Sequence, residues 1–211
     1  MKKAIAMAAA AALLAASGVY ANEPAKPAQP KADPAKAQSI AGGVCVACHG
    51  VDGNSPLPAN PKIGGQQAAY ITKQLHDYKS GARKHPIMVG MVAALSPEDM
   101  LNLGAYYSGQ KPNPGVTTDK ALVAKGEKIY RGGITAGGVP ACAGCHGQSA
   151  LGIPAMYPRL SNQHRDYIEI QMKNFRSTER ANDSGKMMQG VASRMSDADI
   201  KAVAEYLSSL N

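Results

Sequence analysis

The sequence predicts an all-α protein built from two tandem helical domains of similar size. The second half of the chain repeats the first at an offset of 97 residues, which becomes 100 after a three-residue insertion. Several segments carry apolar residues at helical spacing and cap residues at their starts. No segment of useful length shows the alternation of apolar and polar residues that is typical of a β-strand.

The first residues have the pattern of an export signal. A lysine pair is followed by an apolar run through Ala16 and a small-residue cleavage site ending at Ala21. Because this run is short for a bilayer span, a signal peptide over 1–21 is favoured over a retained anchor. Export of this kind predicts a periplasmic protein. Residues 22–37 are rich in Ala, Pro and Lys, which predicts a semi-extended tether or a disordered lead-in.

The repeat sets the expected domain bounds at 38–110 and 119–211, with a Pro/Gly-rich linker over 111–118. Each domain reads as short helices joined by long loops. The glycine pair at 42–43 weakens the first of these helices, whereas Asp119, Ser96 and Ser196 are suited to cap others. The predicted helices cover 36–48, 70–80 and 97–108 in the first half, and 119–131, 167–177 and 197–209 in the second.

All four cysteines of the chain lie in two copies of the pattern Cys-x-x-Cys-His, with cysteines Cys45, Cys48, Cys142 and Cys145 and histidines His49 and His146. A single such pair of cysteines is also typical of a redox dithiol or of half a zinc site. Two complete copies, each with its own histidine, indicate covalent attachment of c-type haem through two thioether bonds. Each helical domain is therefore expected to wrap around one haem, with the histidine ligating the iron.

The repeat also indicates the second axial ligand. Met88 and Met188 are the only methionines that match each other, whereas other methionines match aliphatic residues and behave as apolar packing. We therefore predict His/Met ligation at both irons. Met187 is the alternative in the second domain. His85 is the alternative in the first, although its aligned region contains no histidine.

Two further sets of residues recur in both halves. Pro61 and Pro158 each lie 12 residues after the histidine of a Cys-x-x-Cys-His string. A backbone carbonyl there would fix the orientation of the histidine ring; a simple loop corner is the alternative. Haem propionates or ordinary surface packing would explain the matched polar residues, namely Lys62, Arg159, Arg83, Arg180, Tyr70 and Tyr167. His76 and His164 lack histidine counterparts and are expected at the surface.

The formal charge is +8, and residues 111–211 hold 13 Lys or Arg against nine Asp or Glu. This excess would attract an acidic redox partner or an anionic membrane surface, or it is simply a solvated basic face. Export and the lack of a basic stretch interleaved with aromatics argue against nucleic-acid binding.

Over residues 38–211 the chain resembles the cytochrome c4 family. The resemblance is carried by CVACHGVDGNSPLPANPKIGGQ, MVGMVAALS, KIYRGG, PACAGCHG, MYPRLSNQHRDYI and MMQGVASRMSDADIKAVAEYL. It implies two small cytochrome c domains whose haems face each other across the interface, with ligands at His49, Met88, His146 and Met188. The segment before Met88 looks shorter than the family's, which leaves the path of that loop open.

These observations predict an electron-transfer protein and not an enzyme. A six-coordinate iron has no position for substrate, so transfer would be outer-sphere, through an exposed haem edge. Methionine ligation suits delivery to a terminal oxidase from a respiratory donor. An electron-accepting subunit of a periplasmic dehydrogenase is the alternative. A dihaem peroxidase is less favoured, because it would need an open axial position.

Overall fold

The computed structural model describes residues 31–117 and 119–210. These residues form ten α-helices and no β-strand, with isolated bridges at Ile134–Val139 and Ile153–Tyr157. The helices are α1 (Pro34–Ile40), α2 (Val46–His49), α3 (Ala68–Ser80), α4 (Pro86–Val92), α5 (Pro97–Ser108), α6 (Lys120–Gly132), α7 (Ala143–His146), α8 (Arg165–Arg176), α9 (Met187–Ala192) and α10 (Asp197–Ser209). The all-α prediction is confirmed. The predicted signal peptide, and the tether as far as residue 30, lie outside the described residues.

The first half packs α1 and α3 against α5. Its core contains the fully buried Met100, together with Leu103 and Tyr107 from the same helix. Ala37 of α1 is also fully buried in this core. Residues 34–37 are therefore helical, and their assignment to the tether or lead-in is wrong, because Pro34 starts the helix and Asp33 accepts the Ala35 N–H at its cap.

The second half packs α6 against α10 and α8 against α10. Tyr130, Ile200 and Ala204 are fully buried in its core. At the crossing of α6 and α10, a Cβ on Gly126 would lie 2.0 Å from the Ala202 carbonyl oxygen. Glycine is therefore what allows the two helix backbones to approach so closely.

The helix starts follow the predicted capping chemistry. Asp119 accepts from the Ala121 and Leu122 amides at 2.9 and 3.0 Å and begins α6. Ser96 and Asp99 form a reciprocal capping box at the start of α5. The two short helices that carry the matched methionines, α4 and α9, were not among the predicted elements. Their six or seven residues are too few for an amphipathic period to be read from sequence.

The linker is bonded to both halves of the chain. Asn54 bonds the Lys111 carbonyl and the Asn113 amide, and Lys62 donates to the Pro114 carbonyl at 2.9 Å. On the other side, Ser208 donates to the Val116 carbonyl at 3.0 Å. These bonds hold the linker against side chains from the two halves that it joins.

Across residues 31–117 and 119–210, we find no helix that combines the length and the apolar character needed to cross a bilayer.

Candidate functional site

Each Cys-x-x-Cys-His string folds as a short helical turn. Cys45 ends a π-helical turn over Ala41–Cys45, and α2 follows it directly, whereas Cys142 is the N-terminal cap residue of α7. This turn brings the two cysteines and the histidine of each string onto the wall of one cavity. None of the four cysteines is in a disulfide. Burial raises the pKa of Cys45, and that of Cys142 to about 11.

The two histidines are held in the same way. The Nδ1 atom of His49 lies 2.9 Å from the Pro61 carbonyl oxygen, and that of His146 lies 3.0 Å from the Pro158 carbonyl oxygen. Because a carbonyl only accepts, Nδ1 carries the proton and Nε2 is left as the free ligand atom. Burial lowers the pKa of both rings and favours this neutral form. The predicted histidine–carbonyl bond is confirmed in both halves.

The matched methionines reach the same cavity from α4 and α9. Met88 and Met188 are both half-buried, and each lies on the cavity wall. Met187 also lines the cavity, and its sulfur accepts a contact from the Tyr157 hydroxyl at 3.9 Å. His85 caps α4, where its Nδ1 accepts the Met88 N–H at 3.3 Å. The structure therefore brings the predicted ligands and their two rivals to the same walls, and the choice among them stays a prediction.

The cavity has the size and the chemistry for porphyrin. Its volume is about 1250 Å³, above the roughly 300–1,000 Å³ of a pocket for one small ligand. Most of its lining is apolar, with side chains such as Ile71, Leu75, Ile168 and Phe175. The four thiols, two imidazoles and matched thioethers stand at its walls, which is the donor set of c-type haem. The residues present therefore fit two haem groups.

A zinc site does not fit these residues. Within the part of the chain that the structure describes, no three side chains among His, Cys, Asp and Glu converge to hold a metal ion. A structural zinc site needs four such ligands, and each string brings only two thiols and one imidazole.

Two buried arginines join the halves beside the cavity. Arg83 donates to the Tyr167 hydroxyl at 3.0 Å, and Arg180 donates to the Tyr70 hydroxyl at 2.8 Å. Gln171 accepts from both guanidinium groups, at 2.7 and 2.8 Å. Surface packing is therefore the wrong account of these four matched residues. All of them line the cavity, so propionate contact stays a prediction.

His164 is half-buried and bonds the opposite half, a contact that the expectation of a surface position did not include. Its Nε2 lies 2.8 Å from the Ser55 carbonyl oxygen, in the loop that follows the first haem string. His76, in contrast, is exposed as predicted. The position of His164 follows from the packing of one half on the other, which the composition of its own segment does not reveal.

Sequence reasoning assigned no role to Gln66 and Gln163, which match each other in the repeat. Both side chains are buried, and each bonds the backbone of the opposite half. Gln163 bonds both backbone groups of Lys62, and Gln66 bonds both backbone groups of Arg159. The repeat itself was the signal that marked them.

Comparison with known proteins agrees with this geometry. The family described as Cytochrome c matches residues 34–109 and 123–211. Cytochrome c4 from Thiocapsa roseopersicina is 46% identical over 181 residues, which cover 85% of this chain and 93% of that protein. The chain belongs to the cytochrome c4 family. Cytochrome c4 proteins are dihaem electron carriers and not enzymes, so this member binds two covalent haem c groups.

Two further relatives bear on fold and partners. The crystal structure of reduced recombinant cytochrome c4 from Pseudomonas stutzeri superposes with a TM-score of 0.82 at 41% identity, covering 86% of this chain and all of that one. The thiosulfate dehydrogenase electron acceptor of Thiomonas intermedia (strain K12) is 37% identical over 186 residues, 87% of this chain and 83% of that protein. The expected pair of cytochrome c domains is confirmed.

Proposed function

We propose that this chain is a periplasmic electron carrier whose two irons are ligated by His49 and Met88 and by His146 and Met188. The haems are attached through Cys45 and Cys48 in the first domain, and through Cys142 and Cys145 in the second. Bound haem iron supplies one-electron redox chemistry, and the side chains decide how that chemistry is used. The proposed domains follow the repeat, joined by the linker at 111–118, with the first domain extended to include α1.

The observation that carries this proposal is the same pair of features in both halves. Each histidine gives its Nδ1 proton to a proline carbonyl 12 residues further along the chain, at 2.9 and 3.0 Å. Each Nε2 is left free on a wall that also carries a matched methionine. A histidine and a methionine on each iron would leave no position for substrate. The side chains would then serve outer-sphere transfer, and methionine would hold both potentials high.

Partners and compartment follow from charge and from the first residues. The signal pattern over 1–21 supports export to the periplasm. The positive excess of residues 111–211 supports docking on an acidic face of a terminal oxidase or of a respiratory donor. The same charge supports peripheral attraction to an anionic membrane surface.

A second partner class has its own support. The similarity to the thiosulfate dehydrogenase electron acceptor spans most of both chains, so a periplasmic dehydrogenase is a second proposed donor. Rapid mixing of the oxidised protein with thiosulfate and such a dehydrogenase would reduce both haems under this proposal. Reduction only by a respiratory membrane fraction would instead assign the donor to the respiratory chain.

The ligands are tested by single substitutions in the oxidised holoprotein. Met88→Ala and Met188→Ala should each remove about half of the weak long-wavelength band that methionine sulfur gives with ferric iron. Met187→Leu is the matched control and should leave the band intact. If Met187→Leu loses the band and Met188→Ala keeps it, the second ligand is the neighbouring methionine. If neither alanine variant changes the band, the proposed ligation is wrong.

A further inference from the structure

The peptide group that supports each histidine also bonds the opposite domain. The Pro61 carbonyl, which accepts the His49 Nδ1 proton, belongs to the same amide group as the Lys62 N–H. That N–H donates to Oε1 of Gln163 at 2.9 Å, across 101 residues of sequence. The Gln163 side-chain amide also donates to the Lys62 carbonyl at 2.8 Å, so the contact is doubly bonded.

The second domain repeats this arrangement with the roles exchanged. The Pro158 carbonyl accepts from His146, and the Arg159 N–H of the same peptide group donates to Oε1 of Gln66 at 2.9 Å. Gln66 in turn donates to the Arg159 carbonyl at 2.9 Å. We call each of these doubly bonded glutamine–peptide contacts a bridge. Because the two bridges are related by the internal repeat, each domain provides one glutamine to the other.

Both glutamines are held ready for this contact. Gln66 and Gln163 are only 8% and 7% exposed, and each lies just before the cap residue of a long helix, α3 or α8. Their Oε1 atoms also accept the next backbone N–H, from Gln67 and His164, at 3.0 Å in both cases. Each oxygen is thus oriented by its own helix start before it accepts from the opposite domain.

We propose that Gln163 tunes the iron of the first domain and Gln66 tunes the iron of the second, each acting through the histidine-supporting peptide of the opposite domain. The proposal rests on the proposed histidine ligation. An N–H that donates polarises its own carbonyl and strengthens it as an acceptor, by about 10–30% per bond in condensed-phase estimates. A stronger acceptor raises the basicity of the imidazole ligand. The more basic imidazole favours ferric iron, so each bridge lowers the potential of the opposite domain's haem.

The test is a crossed pair of substitutions in the holoprotein. Gln163→Met and Gln66→Met keep the side-chain length and remove the acceptor. The potential of each haem is followed separately in a redox titration by NMR, through the His49 and His146 signals. Gln163→Met should raise the ferrous-to-ferric ratio of the first haem two- to fivefold at fixed poise, about 20–40 mV at 59 mV per tenfold. Gln66→Met should do the same to the second haem.

The matched control is Gln67→Met. Gln67 donates across the interface to the Tyr157 carbonyl at 2.9 Å but does not bond the peptide that supports His146. It should therefore leave both potentials unchanged. If each variant shifts the haem of its own domain, shifts both haems equally, or shifts neither beyond the control, the proposal is wrong.

A second measurement reads the bridge directly and does not require a disrupted interface. In the ferrous protein, the His49 Nδ1 proton should move upfield in Gln163→Met. It should move downfield in Gln163→Glu, whose carboxylate accepts the Lys62 N–H more strongly. An unmoved resonance in both variants overturns the coupling. Absence of the methionine band in the wild-type protein would instead refute the proposed methionine ligation and leave the histidine coupling standing, so the two failures are distinguishable.

Discussion

The close crossing of α6 and α10 makes Gly126 a position where one added methyl group should be strongly destabilising. A Cβ there would lie 2.0 Å from the Ala202 carbonyl oxygen and 2.7 Å from the Tyr206 Cβ, whereas real contacts begin near 3.0 Å. The helices must therefore separate by about 1 Å, because a helical carbonyl cannot rotate away. The neighbouring Ile200 and Ala204 are fully buried, so the strain passes directly into the core.

The change in unfolding free energy expected for Gly126→Ala is the difference between two opposing effects. Overpacking of a close-packed core costs about 1–3 kcal/mol, and a rigid backbone contact places this site near 3. Alanine recovers about 1 kcal/mol of helix propensity. The net loss of unfolding free energy is about 2 kcal/mol, which shifts the urea midpoint of the second domain by about 1 M.

Urea unfolding of the holoprotein, followed by far-UV circular dichroism and by haem absorbance, measures this loss. Gly132→Ala is the matched control, since Gly132 lies in the same helix and a Cβ there would have no neighbouring atom within 4 Å. The control has the propensity gain without the clash, so its unfolding free energy should equal that of wild type or exceed it by up to about 1 kcal/mol. Equal midpoints for Gly126→Ala and wild type would refute the argument that this contact sets the helix spacing.

Two smaller substitutions test the electrostatics and the ligand choice. The Ser196 hydroxyl and then Lys125 lower the pKa of Asp199 below 3.8, so its stabilisation is present above that pH and is lost as pH falls through the folded-state value. Asp199→Asn should cost about 0.5–1 kcal/mol at pH 7. In acid-unfolding curves the variant should converge with wild type as the pH falls below the folded-state pKa of Asp199, and a gap that stays constant would contradict this. Tyr157→Phe removes the hydroxyl that contacts Met187 at 3.9 Å. The ferric methionine band should not move if Met188 is the ligand, and a shifted band would indicate Met187 instead.

Local patterns predicted much of the helical framework. The last helix of each half, Pro97–Ser108 and Asp197–Ser209, has the predicted bounds, and each helix begins directly after its serine cap. Such caps act within a few residues, so they can be recognised in the sequence before the fold is known. The predicted tether or lead-in failed at 34–37 because burial of Ala37 against α5 outweighs a composition typical of disorder.

The contacts that join the two halves could not be predicted in the same way from the sequence. His164 has no special neighbours in sequence, yet its ring bonds Ser55 at a separation of 109 residues. Gln66 and Gln163 were visible as a repeated pair, but a repeat states only that two positions are alike. It does not state that each bonds the other's domain.

By itself, the sequence determined the cofactor and the helical class. Attachment of haem needs only two thiols and an imidazole at fixed spacing within one turn, and the covalent chain itself sets that spacing. The tertiary structure alone decided what lies beyond the proline carbonyl that the sequence indicated for each histidine, namely a glutamine from the opposite half. Hydrogen bonds depend on distance in space to within a few tenths of an ångström, and residues some 100 positions apart reach that distance only when both cores have packed.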